Sequence, residues 1–220
     1  MIAKELISDG IIPLKTNDTG RIALEWMEDF RVSHLPIVNE SQLLGLVTEY
    51  DVYNHNQLDE PIGSYSLSLH NTFVLESQHL YDVMRLVQLH GLSLIPVVDN
   101  DNNYLGSITL QRLLQHFSAT LSVSEPGGII ILELNIHDYV LSEIARIVES
   151  NDTKILSLFI HFDPVSQKMR LTLKLNKMEI SGLLQTFSRF NYEVIMSYGA
   201  QDDLDDLRER YDALMSYLKV

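Results

Sequence analysis

A short motif in the first half of the chain carries the side chains best suited to hold a ligand. It reads Gly45-x-x-Thr48-x-x-Asp51 and closes the apolar run of residues 43–47. Such a run, ending in this motif, predicts a strand that hands over to a helix. The free N–H groups and positive dipole end of a helix start favour an anion, so the motif predicts an anionic ligand group beside Thr48.

The same spacing also has a purely structural explanation. Thr48-x-x-Asp51 matches a capping box, in which the Thr oxygen and the Asp carboxylate satisfy backbone donors at a helix start. Both interpretations stay open on the sequence alone. The elements around the motif favour neither, since both require a strand, a turn and a helix in that order.

The stretch around the motif recurs about sixty residues later in the chain. Ser93, Pro96, Val98, Leu105, Gly106 and Thr109 repeat Ser33, Pro36, Val38, Leu44, Gly45 and Thr48. The helices upstream of both copies carry matching apolar stripes, one on Ile22, Ala23, Trp26, Met27 and Phe30 and one on Leu80, Val83, Met84 and Val87. A repeat of this length predicts two copies of one supersecondary unit.

Each copy has the same order: a strand, a helix, a strand with Pro36 or Pro96, and then the glycine-threonine motif. This order, occurring twice, resembles a pair of CBS domains. The resemblance implies a pseudo-symmetric pair of β-α-β-β-α repeats whose clefts hold adenosine compounds. It implies that Thr48, beside Gly45, meets phosphate and that Asp51 holds the ribose hydroxyls. We expect the base between Ile12, Leu35 and Pro36, although the prolines serve equally well as strand punctuation.

The second repeat departs from the motif at one position. Arg112 stands where Asp51 stands in the first repeat, so the carboxylate for the ribose is missing. We therefore expect one competent site. Arg112 is a candidate phosphate contact, and solvation or ion pairing is the alternative role for an arginine at this position.

The second half of the chain has a different order of elements. Its apolar patterns predict β-α-β-β-α-β, a ferredoxin-like unit, after a boundary at Pro126-Gly127-Gly128. This order, with the helix start Leu141-x-x-Ile144-Ala145, resembles the ACT domain, and the whole order resembles acetoin-utilisation-type bacterial regulatory proteins. Asp138-Tyr139 replaces the Pro-Gly turn of amino-acid-binding ACT domains, so we expect no amino-acid binding.

We predict an α+β protein with three parts. These are a CBS pair over residues 1–122 (repeats at about 1–57 and 64–119), an ACT-like domain over 126–200, and an amphipathic helix over 201–220. The helix carries an apolar seam of Leu204, Leu207, Tyr211, Leu214 and Leu218. It is too short to be stable alone, so we expect it to pack on its own domain or on a second chain.

Composition excludes several classes of function. The chain has 16 basic and 30 acidic side chains, a net charge of −14, so nucleic acid and anionic membranes are not expected partners. It has no cysteine, no apolar run as long as a membrane span and no apolar N-terminal signal, and we expect a cytoplasmic protein. No nucleophile elbow, P-loop or metal-spaced histidine pair occurs, which predicts no catalytic residue, metal or cofactor.

The function favoured by these patterns is sensing. We expect an adenosine-containing ligand such as AMP, ADP or ATP to bind the CBS cleft of a homodimer, which passes the change to an unidentified protein partner. The alternative is a scaffold without a ligand, whose repeats only assemble subunits.

Overall fold

The structure, a computed structural model, describes residues 1–199 and Met215. The predicted helix over residues 201–220 lies outside the described residues apart from Met215, which is helical. The chain divides into two compact units, Met1–His116 and Phe117–Val220. Within the described part, no helix is both long enough and apolar enough to cross a membrane.

Two β-α-β-β-α repeats form the first unit. The first has β1 (Leu14–Lys15), α1 (Gly20–Phe30), β2 (His34–Asn39), β3 (Gln42–Thr48) and α2 (Glu49–His55); the second has β4 (Val74–Leu75), α3 (Leu80–His90), β5 (Leu94–Val98), β6 (Tyr104–Thr109) and α4 (Leu110–Thr120). The sheets have the orders β1-β2-β3 and β4-β5-β6, each with one parallel and one antiparallel pairing. The predicted α+β fold and its internal repeat are confirmed.

Some element boundaries differ from the sequence-based expectation. The apolar residues 11–14 predict a first strand over that range, but the strand is only Leu14–Lys15, because Pro13 has no N–H to donate to a strand partner. Ser77 is a candidate cap of α3 in the sequence, but His79 caps this helix, and its Nδ1 accepts from the Tyr81 amide. The repeat period explains the second difference, since His79 lies sixty residues after Thr19, the cap of α1.

The N-terminal segment of the chain packs on the second repeat rather than on the first. The amides of Ala3 and Lys4 donate to the carbonyls of Gln78 (2.8 Å) and Glu76 (3.1 Å), and the Ser8 amide donates to Ser107 (2.9 Å). The Lys4 ammonium also pairs with the Glu76 carboxylate. The residues that precede the first repeat in sequence therefore complete the second repeat in space.

The segment between the repeats makes the reciprocal exchange. The amides of Ile62 and Gly63 donate to the carbonyls of Asp18 (2.7 Å) and Thr16 (2.9 Å), and the Leu46 amide in β3 donates to Leu69 (3.0 Å). Because of this exchange, both repeats share one apolar core. That core includes Ala3 and Leu6 from the N-terminal segment and Ile62 from the connecting segment.

The repeats also meet directly at two equivalent serines. The Ser33 amide donates to Ser93 Oγ (2.9 Å), and His34 Nδ1 lies 3.0 Å from the oxygens of both Ser33 and Ser93. The Ser93 amide completes this cluster, with its nitrogen 3.3 Å from the same ring nitrogen. His34 is thus half-buried at the contact between the two repeats.

The second unit has the predicted β-α-β-β-α-β order. Its elements are β7 (Ile129–Asn135), α5 (Leu141–Ser150), β8 (Ile155–Asp163), β9 (Lys168–Leu175), α6 (Ser181–Arg189) and β10 (Glu193–Tyr198). The sheet order is β10-β7-β9-β8 with every pairing antiparallel, which is the ferredoxin-like arrangement. Apolar residues of α5 and α6, including Ile144, Ile147 and Phe187, pack with the strands in a separate core.

We predict that the stability of the first unit falls as the medium becomes acidic, through His34. Burial lowers the pKa of His34 below 6.5 and outweighs the opposing attraction of Asp51 and Glu49. The unfolded chain therefore binds this proton more readily, so the contribution is present above pH 6.5 and is lost as the pH falls through 6.5 towards the folded pKa. Urea unfolding at pH 7.5 and 5.5, followed by Trp26, the single tryptophan, measures this loss.

The matched variant for this test is His34→Asn, which keeps an acceptor near the Nδ1 position but does not titrate. We expect its stability to fall less between the two pH values than that of the parent chain. Equal losses of stability in both proteins would show that His34 does not cause the pH dependence.

A second prediction concerns Gly127 in the second unit. A Cβ added there would lie 1.7 Å from the Leu175 carbonyl oxygen, whereas a Cβ on Gly182, in α6, would meet nothing closer than 3.6 Å. We expect Gly127→Ala to lower the free energy of unfolding by about 1–3 kcal/mol. Gly182→Ala should leave it unchanged or raise it by about 0.5–1 kcal/mol. Hydrogen exchange of the β7 amides reads out both variants, and equal exchange rates would contradict the prediction.

Candidate functional site

Thr48 and Asp51 form both halves of a capping box at the start of α2. The Asp51 amide donates to Thr48 Oγ1 (3.0 Å), and the Thr48 amide donates to Asp51 Oδ2 (2.9 Å). These two hydrogen bonds confirm that the motif forms a capping box. Asp51 is nevertheless only 7% exposed, which is unusual for a carboxylate that does no more than cap a surface helix.

A third group contacts this carboxylate from the segment that leads into the second repeat. Ser68 Oγ donates to Asp51 Oδ2 at 3.1 Å. The segment reaches this position because Gly45 in β3 has no side chain: a Cβ there would lie 3.1 Å from the Leu69 carbonyl oxygen and 3.2 Å from Leu67 Cδ1. The glycine of the motif thus allows the second repeat's leading segment to lie against β3.

A cavity of about 380 Å³ adjoins Asp51. It is lined by Tyr50, Asp51, Asn54, His55, Ser66, Leu67 and Ser68. The lining residues supply two aromatic rings, an amide, three hydroxyls and a buried carboxylate, and the cavity volume lies within the range of about 300–1,000 Å³ of small-molecule sites. His55 is held at one side by Glu60, whose carboxylate lies 2.8 Å from His55 Nε2, and by stacking on Tyr65.

The residues expected to form the base slot are not brought together at this cavity. Ile12 is 53% exposed and lines a different cavity, of about 510 Å³, together with Lys15, Asn17 and Glu40. Leu35 is fully buried in the core of the unit, and Pro36 is buried in β2, where it pairs with Leu46. Their role as a base slot stays a prediction, and it would require contacts other than those at the cavity of Asp51.

The equivalent position in the second repeat is built differently. Ser8 Oγ accepts from the Thr109 amide (3.1 Å) and lies 3.0 Å from Thr109 Oγ1. It thereby supplies the backbone cap that Asp51 supplies in the first repeat. Arg112 follows at the start of α4, and its amide donates to Thr109 Oγ1 (3.2 Å). Its buried Nε has no hydrogen-bond partner among the described residues, and its phosphate contact stays a prediction.

The sequence analysis missed Tyr50, Asn54, Ser66, Leu67 and Ser68 at the cavity. It also missed Ser8, which lies at the equivalent position of the second repeat. Ser8 and Ser68 are the pair that the repeat could have revealed. They lie sixty residues apart, the same period that relates Ser33 to Ser93, so extending the repeat upstream would have paired them. That pairing alone would not have revealed their contacts, because each serine contacts a helix start of the other repeat. Ser8 contacts Thr109 at the start of α4, and Ser68 contacts Asp51 at the start of α2.

The second unit contains a larger cavity, of about 590 Å³, near the loop that carries Asp138. Its lining includes four carboxylates, those of Glu133, Asp138, Glu143 and Glu193, with Lys168 and Tyr192. Burial and the neighbouring Glu143, which accepts from the Tyr192 hydroxyl, raise the pKa of Tyr192 to about 12. The expectation that this unit binds no free amino acid stays a prediction. No group of three or more His, Cys, Asp or Glu side chains that could hold a metal ion occurs in residues 1–199.

Comparison with known proteins places the first unit in a family. The CBS domain family matches residues 3–56 and 68–119. An inosine-5'-monophosphate dehydrogenase from Methanocaldococcus jannaschii is 26% identical over 114 residues, which cover 51% of this chain and 23% of the enzyme. A homoserine O-acetyltransferase from Methanocorpusculum labreanum is 28% identical over 126 residues, which cover 57% of this chain and 24% of the enzyme. The chain thus spans about a quarter of the length of these relatives.

A solved structure agrees with the fold. The crystal structure of a CBS domain pair/ACT domain protein from Thermotoga maritima matches with a TM-score of 0.50 and 21% identity, and the match covers 55% of this chain and 99% of that chain. Together with the two β-α-β-β-α repeats, the exchanged segments and the family match, this identifies the first unit. The first unit is a pair of tandem CBS domains, which span residues 3–56 and 68–119.

Proposed function

We propose that this protein is a regulatory sensor that binds one adenosine-containing ligand per chain beside Asp51. The observation that carries the proposal is the state of the Asp51 carboxylate. It is buried, it borders a cavity of about 380 Å³, and both hydrogen bonds that it accepts within the described residues go to Oδ2. Oδ1 therefore retains acceptor capacity for the ribose hydroxyls of the ligand.

The other walls of the cavity suit the remaining parts of an adenosine compound. Tyr50 and Leu67 offer an aromatic ring and an apolar side chain to a flat base. Asn54 and Ser66 offer polar groups to its nitrogen atoms or to a first phosphate. In this arrangement the base contacts come from α2 and the connecting segment, and Thr48 remains the cap of α2.

The output of such a sensor would be conformational. The site is built from two repeats at once, since Asp51 belongs to the first and Ser68 to the segment that opens the second. A ligand that binds both would change their mutual contacts, and a protein partner could read that change. We propose a regulatory rather than a catalytic role for the whole chain.

Exposed apolar side chains in the first unit favour assembly and support the alternative of a scaffold without a ligand. Tyr50 and Tyr53 in α2 are 70% and 63% exposed, and Leu110 and Leu114 in α4 are 53% and 63% exposed. Apolar patches of this kind commonly mark an interface. A homodimer is compatible with both functions, so the ligand experiment, rather than the oligomeric state, separates them.

The ligand prediction is tested by a screen of adenosine, AMP, ADP and ATP by thermal shift and calorimetry. At a hundred times its dissociation constant a ligand stabilises the folded state by about 2.7 kcal/mol, and each kcal/mol raises the melting temperature by roughly 2–4 °C for a chain of this size. We therefore expect a shift of about 5–10 °C. Asp51→Asn should weaken binding about 10- to 100-fold, because it removes a charged acceptor.

Two control variants test whether binding depends on the Asp51 carboxylate itself rather than on the charge of the surrounding residues. Glu49→Gln removes the same charge from the same turn of α2, and Arg112→Ala alters the equivalent position of the second repeat; we expect near-normal binding for both. If no adenosine compound stabilises the parent protein, or if the Asp51 variant responds fully, the site assignment fails and the scaffold function takes its place.

The assembly prediction is a homodimer at micromolar concentration. Light scattering should give about twice the 25.2 kDa mass of one chain. Replacing Leu110 and Leu114 together by Lys should yield monomers, because charge would replace the exposed apolar surface of α4. Leu89→Lys, at a position of α3 that is 67% exposed, is the matched control and should remain dimeric. A parent protein of about 25 kDa would contradict the prediction.

A further inference from the structure

The acceptor positions of Asp51 Oδ2 are already in use. This oxygen accepts from the Thr48 amide at 2.9 Å and from the Ser68 hydroxyl at 3.1 Å. A carboxylate oxygen has about two lone-pair sites, so these two donors fill them. Oδ1 is the oxygen with capacity left for further donors.

A ribose with two neighbouring hydroxyls needs an acceptor oxygen for each of them, and Oδ1 is only one acceptor oxygen. The two O–H groups lie side by side and match a carboxylate best when each oxygen accepts one of them. One hydroxyl can bond to Oδ1 directly. The other has to replace one of the two donors at Oδ2.

Of those two donors, Ser68 is the one free to leave. The Thr48 amide is fixed in the backbone turn that begins α2. Ser68 is exposed, and its hydroxyl can rotate while the main chain beside it stays bonded through the Leu69 carbonyl and the Leu46 amide. Loss of the Ser68 bond therefore requires no change in the sheet.

We propose that the Ser68 hydroxyl competes with a ribose hydroxyl for Asp51 Oδ2, and that Ser68 thereby sets the preference of the site between ligands with two vicinal hydroxyls and ligands with one. The inference rests on the proposed function and adds a specificity-determining residue to it. A ligand with a single hydroxyl uses Oδ1 and leaves Ser68 in place. A ligand with both hydroxyls displaces the Ser68 hydroxyl and takes its place at Oδ2.

The second repeat provides a matched comparison. Ser8 occupies the equivalent position, but it contacts the amide and hydroxyl of Thr109, and Arg112 stands where the carboxylate would be. Removal of the Ser8 hydroxyl therefore removes the same atom from the same kind of segment without changing the acceptors of any carboxylate.

The test measures, by calorimetry, adenosine and AMP, each beside its 2′-deoxy form, on the parent protein, Ser68→Ala and Ser8→Ala. For Ser68→Ala we expect the ribose compounds to bind about three- to tenfold tighter, the effect of removing one competing hydrogen bond. The deoxy compounds should change by less than about twofold in the same variant. Ser8→Ala should change neither class.

The outcomes separate this inference from the proposed function. If the parent protein binds ribose compounds and Asp51→Asn weakens binding as predicted, but Ser68→Ala leaves the preference for ribose over deoxy compounds unchanged or lowers it, the competition is refuted and the site assignment stands. An equal gain for both classes also refutes it, since the effect would then be steric. If the screen identifies ADP or ATP instead, the same comparison is made with that nucleotide and its 2′-deoxy form; if the parent protein binds no adenosine compound, the proposed function and this inference fail together.

Discussion

The exchange of leading segments between the two CBS domains is the constraint on which the first unit depends. Residues 3–8 pair with residues of the second repeat, and residues 62–69 pair with residues of the first. Each repeat alone has only a three-stranded sheet with a first strand of two residues, which is a small surface on which to bury a core. With the exchange, Ala3, Leu6 and Ile62 become fully buried within one shared core, so that neither repeat is complete without the other's segment.

The same exchange makes the two equivalent positions chemically different. In each repeat a serine from a leading segment reaches the start of the last helix. Ser68 donates to the buried carboxylate of Asp51, whereas Ser8 accepts from the Thr109 amide and so caps the backbone there. One substitution, Arg112 at the position of Asp51, is therefore enough to turn a symmetric scaffold into one with a single carboxylate site.

A capping box and a ligand site are compatible at Asp51 because a carboxylate has two oxygens. Oδ2 serves the structure by closing the turn at Thr48 and by holding Ser68. In the proposed function Oδ1 serves the ligand. Helix capping alone does not require Asp51 to be buried against a cavity, and it is the burial that favours a further role.

The repeat, its β-α-β-β-α order and the ferredoxin-like order of the second unit could all be predicted from the sequence. Period, apolar alternation and turn residues are local properties, and they predicted the strand-to-helix turn at Thr48 and the order of the strands β7 to β10. Finer boundaries depended on neighbours: Pro13 shortened the first strand, and His79 replaced Ser77 as the cap of α3.

The contacts between distant segments could not be predicted from the sequence and became visible in the folded chain. The resemblance to CBS domains led us to expect an apolar slot of Ile12, Leu35 and Pro36 for the base, but the fold lines the cavity at Asp51 with Leu67 and Ser68 instead. Burial of Leu35 and the glycine-permitted approach of residues 67–69 to Gly45 are contacts between residues far apart in the chain. No local pattern records such contacts, because a segment that packs on its own repeat and one that packs on its neighbour have the same apolar residues to bury.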